Sequence, residues 1–210
     1  MDLPSEFDRQ LDNLIAKGYP KLANKTVSDF SKLVTPLLSQ LSGLSDLKFD
    51  SEKGIVPFLI VVSPTLIIAK EQMKALTWNH KPGIEKLFPH QAEEFKPIES
   101  VALSSSPVYL LLGINRGDEF LNIRPEDALK AIQEKGNTPI TMEEGIALVS
   151  QFPDILIKNH CFSLLGSRVE GNQRVPAIWI NAQKQANLGW CWDRNPHTWL
   201  GSAFANKRVG

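Results

Sequence analysis

The 210-residue sequence has no excess of charge of either sign, its 23 lysines and arginines balancing 23 aspartates and glutamates. A net charge of zero excludes a broad electrostatic footprint for DNA, RNA or an anionic membrane, so neither is expected as a partner. A local anion site is still compatible with it. Cysteine is scarce, at two residues, which rules out a disulfide scaffold and fits a reducing compartment. The longest apolar run, near Ile55–Val62, is far too short to span a bilayer. The opening Met1-Asp2-Leu3-Pro4-Ser5-Glu6 has neither the basic nor the apolar region of a secretory leader. The expected location is cytoplasmic. Also missing are a Gly-x-Ser-x-Gly elbow, a phosphate-cradling glycine loop and a His-Glu-x-x-His helix. No cofactor is expected.

What the chain does have is tryptophan at one end. Four of its five tryptophans, Trp179, Trp190, Trp192 and Trp199, fall within one 21-residue stretch that also holds Cys191, His197 and a polar turn. Any working site is expected there. Hydrophobic content of 42% is enough to build a core without staples. The organisation expected is a helical extension over 1–43 and an α+β domain over 44–210.

Periodicity places the elements. Phe7, Leu11, Leu14 and Ile15 mark a helix with Ser5 as N-cap and Gly18 as stop. Phe30, Leu33, Val34, Leu37, Leu38 and Leu41 form a second stripe, capped by Thr26 and kinked or split at Pro36. This stripe either packs on its own domain or presents a face to a partner. Ile55–Val62 and Val108–Ile114 read as buried strands. Ser63-Pro64 looks like the start of a helix reaching about Thr77. Trp78–Pro107 is a proline-punctuated loop, and His80 and His90 within it read as solvated. Arg116-Gly117-Asp118 reads as a plain turn. One helix opens at Pro125-Glu126-Asp127 and stops at Gly136. Another opens with a capping box, Thr141 and Glu144 satisfying each other's backbone donors.

The last fifty residues read as an antiparallel meander. Cys161–Arg168 and Arg174–Asn181 form a hairpin in which Arg168 faces Arg174 and Phe162 faces Ile180. A third strand, Leu188–Asp193, sets Trp190 beside Ile178 and Trp192 beside Pro176, both on the core face. The fold class is therefore α+β, with N-terminal helices, a central strand–helix section and a C-terminal meander packed on helices. His160, Cys161, Cys191 and His197 are residue types that zinc prefers. This register holds the two cysteines roughly 16 Å apart, too far for a shared metal or a disulfide, and no metal site is expected.

Arg168 and Arg174 as direct neighbours, with Arg194 extending the row, would repel unless Glu170, Asp193 or a bound anion relieved them. Asn195-Pro196 aims His197 at the sheet end, where it could act as an acid/base group oriented by Asp193 or Asn195, with Cys191 or Ser167 as nucleophile. It could equally fix the turn. Trp179 and Trp199 lie off the core face and are free to act as stacking platforms for a sugar, a nucleobase or an apolar side chain.

Glu144-Gly145-Ile146-Ala147-Leu148, Gly166-Ser167-Arg168, Arg174-Val175-Pro176-Ala177-Ile178-Trp179-Ile180, Leu188-Gly189-Trp190-Cys191-Trp192 and Asn195-Pro196-His197-Thr198-Trp199-Leu200-Gly201 resemble an uncharacterised bacterial family. It is a domain of unknown function met mainly in actinobacterial proteins, and the likeness runs from roughly Ile55 to Arg208. The chain departs from the family pattern at Asn137, where an arginine follows the glycine, and at Ile140, where a leucine stands. The resemblance implies a bacterial cytoplasmic protein and brings no activity, cofactor or catalytic residue.

Three functional readings follow. The first is a non-catalytic binding or interaction protein, with a small and anionic ligand held by Arg168, Arg174, Arg194, Asn195, His197 and Trp199. The second is a hydrolase- or transferase-like enzyme using His197 and Asp193. The third is a structural protein that docks a partner on the Phe30–Leu41 stripe. Self-association is left open.

Overall fold

Ile55–Val62 and Val108–Asn115 pair antiparallel along their whole length, from Ile55 opposite Asn115 to Val62 opposite Val108. The structure, a computed structural model, describes residues 2–44 and 47–210; Met1, Ser45 and Asp46 lie outside the described residues. Phe204–Ala205 and Lys207–Val209 pair with Val108–Asn115, and Thr138–Pro139 pairs with Phe204–Ala205, giving a five-stranded antiparallel sheet. Both long strands are buried on both faces, which is why they read as continuous apolar runs. Phe58, Ile60, Val62, Leu110 and Leu112 belong to one core, and Leu59, Val61, Tyr109 and Leu111 to the other.

The first core is closed by the N-terminal helices. Leu3–Ala16 is capped by Asp2, which accepts from the Ser5 amide at 3.0 Å, so the cap lies three residues before the expected Ser5. Gln10 docks this helix on the free edge of the sheet, donating to Phe58 O at 3.0 Å and accepting from Ile60 N–H at 2.8 Å. Those bonds satisfy backbone groups an edge strand otherwise leaves open. The second stripe splits as Pro36 requires, into an α-helix over Val27–Val34 and a 3₁₀ helix over Thr35–Leu41. Phe30, Val34, Leu37 and Leu41 are buried in the same core, leaving Leu33 and Leu38 half-buried.

The second core is built round the helix Met142–Gln151, every residue of which is buried. It lies between the first sheet and a second one, and such a position suits a helix whose middle, Gly145–Val149, carries no polar side chain. The Thr141–Glu144 capping box forms as expected. Ser167 adds a further cap, its Oγ accepting from the Met142 amide at 3.0 Å. Gly145 lets the helix approach the second sheet, since a Cβ there would stand 2.2 Å from the Leu164 side chain. Glu144 is fully satisfied inside. It accepts from Thr141 N–H (2.7 Å), Tyr109 OH (2.8 Å) and Arg208 Nε and Nη2 (2.6 and 2.7 Å).

The second sheet has Cys161–Ser163, Arg174–Ile180 and Ala186–Trp192 as an antiparallel meander, extended on its two edges by the parallel strands Leu200–Ser202 and Ile84–Glu85. Its register differs from the expected one by two residues. Phe162 faces Ile178, Trp190 faces Pro176, and Trp192 faces Arg174. A shift of two keeps every side chain on its face, so hydrophobic pattern alone could not detect it. The first strand also ends early. The Gly166 amide donates to Ile140 O and its carbonyl accepts from Ile98 N–H, and Ser167–Arg168 leave to pair with Lys96–Pro97.

One further expectation changes. Ser63–Ile68 is a hydroxyl-stabilised turn, with the Thr65 amide on Ser63 Oγ, and the helix begins only at Ala69 and ends at Ala75. Arg116, 1% exposed, is bound to Asp118 and donates to Ile155 O at 3.0 Å, so the Arg-Gly-Asp turn is part of the framework. No helix among the described residues is long and apolar enough to cross a membrane.

Candidate functional site

The register decides where each tryptophan stands. Arg174 stands opposite Trp192 and the buried Pro176 opposite Trp190, so the two tryptophans lie towards the end of the sheet. Trp190 is half-buried and packs against the core, whereas Trp192 is 39% exposed, which corrects its expected place there. The Arg174 guanidinium sits over both rings, 4.4 Å from Trp190 and 4.6 Å from Trp192. The Trp190 indole N–H is held by Phe88 O at 2.9 Å.

The expected arginine row is not formed. Arg168 pairs through its backbone with Lys96, not Arg174, and is drawn down by burial, with Asp193 opposing that effect. Arg174 donates to Asn172 Oδ1 at 3.3 Å, and its Nε has no hydrogen-bond partner among the described residues. Arg194 is exposed and lies 3.5 Å from Glu126. The physical reason is the early end of the Cys161–Ser163 strand, which carries Arg168 to another sheet. Asn195 is exposed in the turn, its amide on Trp192 O.

His197 and Asp193 share no hydrogen bond among the described residues. His197 Nε2 and Asp193 Oδ1 are each buried without a partner. Burial holds the imidazole below its ordinary range, favouring the neutral ring. The ring packs against Trp199 with centroids 5.5 Å apart. Cys161 and Cys191 are buried free thiols two strands apart, and burial pushes both up, which keeps them protonated and poorly nucleophilic. Among the described residues, no group of three or more His, Cys, Asp or Glu could hold a metal ion.

Trp179 and Trp199 come together. Their rings meet edge to face, with centroids 6.2 Å apart, and both line a cavity of about 520 Å³. Asn187 lines the same cavity on the strand beside Trp179. It is 1% exposed, and its Nδ2 has no hydrogen-bond partner among the described residues. Lys86 and Lys158 are exposed lining residues, so the cavity combines aromatic walls, a buried amide donor and two cations. It can hold a ring on the indoles and direct an acceptor group at Asn187.

Of the expected site residues, only His197 and Trp199 belong to this corner. Asn187, Lys86 and Lys158 were missed. The available signal for Asn187 was an amide, poorly suited to a strand, inside Ala186-Asn187-Leu188-Gly189. The lysines are brought in by loops with no periodicity to read.

The model of a family described as "Family of unknown function (DUF5701)" matches residues 13–210. No curated protein and no solved structure gives a match to the chain.

Proposed function

The chain belongs to the family of unknown function DUF5701, and with no activity to inherit we propose that it is a non-catalytic protein binding a small ligand in the Trp179–Trp199 cavity. The ligand is a ring compound bearing a carboxylate, phosphate or comparable acceptor. The observation that carries this is the Asn187 amide, buried at the cavity wall with an unused donor. Leaving such a donor unpaired costs about 1–3 kcal/mol, which an acceptor on the ligand recovers. Lys86 and Lys158 supply positive charge for an anion. The same reading places the protein in a bacterial cytoplasm, with which two free thiols are compatible.

The test is a thermal-shift screen of metabolites against the wild type, Trp199→Ala and Asn187→Leu. Ligands that raise the wild-type melting temperature should lose that effect in both variants. Equal shifts in all three proteins would overturn the proposal.

A second reading, His197 as an acid/base group, is favoured by its unpartnered, buried Nε2. Turnover of a bound compound, abolished by His197→Ala with binding retained, would establish it in place of the first.

A further inference from the structure

A second cavity, about 380 Å³, opens at the start of the Met142–Gln151 helix and shares no lining residue with the tryptophan cavity. Ile68, Phe95 and Leu103 contribute apolar walls, and Glu93, Lys96 and Glu143 are its charged lining residues. The two adjacent glutamates of the helix differ in what they do. Glu144 completes the capping box and takes the ion pair with Arg208. Glu143 serves neither purpose. It is 6% exposed and has no ion-pair partner among the described residues. A carboxyl needed only to complement the helix end would gain as much at the surface, without the cost of burial.

We infer that this cleft is a second ligand site, which takes a small organic cation, an ammonium group on an apolar body, with Glu143 as its counter-ion. Once Glu143 is ionised, the lining carries two negative charges and one positive, and the apolar walls suit the body of such a ligand. Burial pushes the Glu143 carboxyl up to about 7, and ionised Glu144 adds to this; its own amide, the Thr141 hydroxyl and Lys96 act the other way. Arg208 and Tyr109 face Glu144 and are engaged by it. Entry of the ammonium therefore expels the proton from Glu143 to solvent and leaves a carboxylate–ammonium pair.

Calorimetric titration with benzylamine, against benzyl alcohol as a neutral match, tests this at pH 5.5 and 8.0. Benzylamine should bind about thirtyfold tighter at pH 8.0, the ratio of ionised Glu143 at the two pH values for a group titrating near 7. Glu143→Gln keeps the shape, removes the buried charge, and should abolish both the binding and its pH dependence. Ser105→Trp, at an exposed cavity-lining residue, should block binding and leave folding unchanged. Equal affinity for amine and alcohol at pH 8.0, unchanged binding by Glu143→Gln, or no binding by the wild type would each overturn the inference.

Discussion

Gly189 lies beneath the ring of Trp179, so closely that a Cβ at position 189 would stand 2.2 Å from Cη2 of the indole. The same Cβ would stand 3.2 Å from Nδ2 of Asn187. A bare glycine in the middle of a strand weakens it locally, and here the vacated space seats both the ring and the amide that line the proposed ligand cavity. The Leu188-Gly189-Trp190 motif thus serves the opposite side of the sheet from its own tryptophan.

Gly189→Ala should displace the Trp179 ring and cost about 1–3 kcal/mol, the usual range for overpacking a tight site. Urea denaturation reads the stability, and the thermal-shift ligands of the wild type read the site. The expected result is a folded protein that no longer responds to them. Full stability with full response would mean that Gly189 does not seat the ring.

Arg208→Met should be among the most damaging single changes. Glu144 is fully buried and Arg208 is 6% exposed at the side chain, with two hydrogen bonds between them. Removing one member of a buried pair strands the other, at about 3–5 kcal/mol. The midpoint of urea unfolding checks this. A loss below about 1 kcal/mol would show that Tyr109 and Thr141 suffice for Glu144.

The helices Leu3–Ala16, Val27–Val34, Pro125–Glu134 and Met142–Gln151, the two long strands and the capping box were legible because each rests on local signals: a 3.6-residue stripe, an uncharged β-branched run, a Thr-x-x-Glu cap. The second sheet was legible in its faces but not in its register, because pairing Phe162 with Ile178 or with Ile180 satisfies the same alternation. That two-residue difference misplaced Trp190 and Trp192 together. The turn that sends Ser167 to the helix cap and Arg168 to Lys96 depends on Ile140 and Ile98, distant in sequence, so no local pattern announces it. Asn187 and Glu143 looked like ordinary polar residues; their burial comes from tertiary packing.

Ser167→Ala tests that cap. Losing the Oγ that accepts from the Met142 amide should cost about 1 kcal/mol, because the amide is buried and has no water to turn to. Ser167→Thr, which keeps the hydroxyl, should recover part of it in the same urea measurement. Identical midpoints for wild type and Ser167→Ala would remove Ser167 from the framework.

Glu143 makes stability depend on pH in a defined sense. Its folded-state value, about 7, is above the ordinary 4.5. Below about 4.5 the carboxyl is protonated in both states and its contribution is fully present. Between about 4.5 and 7 the unfolded chain has lost a proton that the folded protein keeps, so stability falls as pH rises. Above about 7 the loss is complete, about 3 kcal/mol at about 1.4 kcal/mol per pH unit. Glu143→Gln should flatten this slope and exceed the wild type in stability at pH 8. Parallel stability–pH curves for the two proteins would contradict the assignment.

The most direct measurement is the indole N–H region of a two-dimensional NMR spectrum, followed as a ligand from the thermal-shift screen is added. Each indole is distinguishable, and Trp78 and Trp190 serve as internal controls because their N–H groups are bound to Pro153 O and Phe88 O. The expected result is movement of the Trp179 and Trp199 resonances, lost in Asn187→Leu, with Trp78 and Trp190 fixed. Movement of Trp190 and Trp192 with Trp179 and Trp199 unchanged would contradict the proposed cavity and return the site to Arg174.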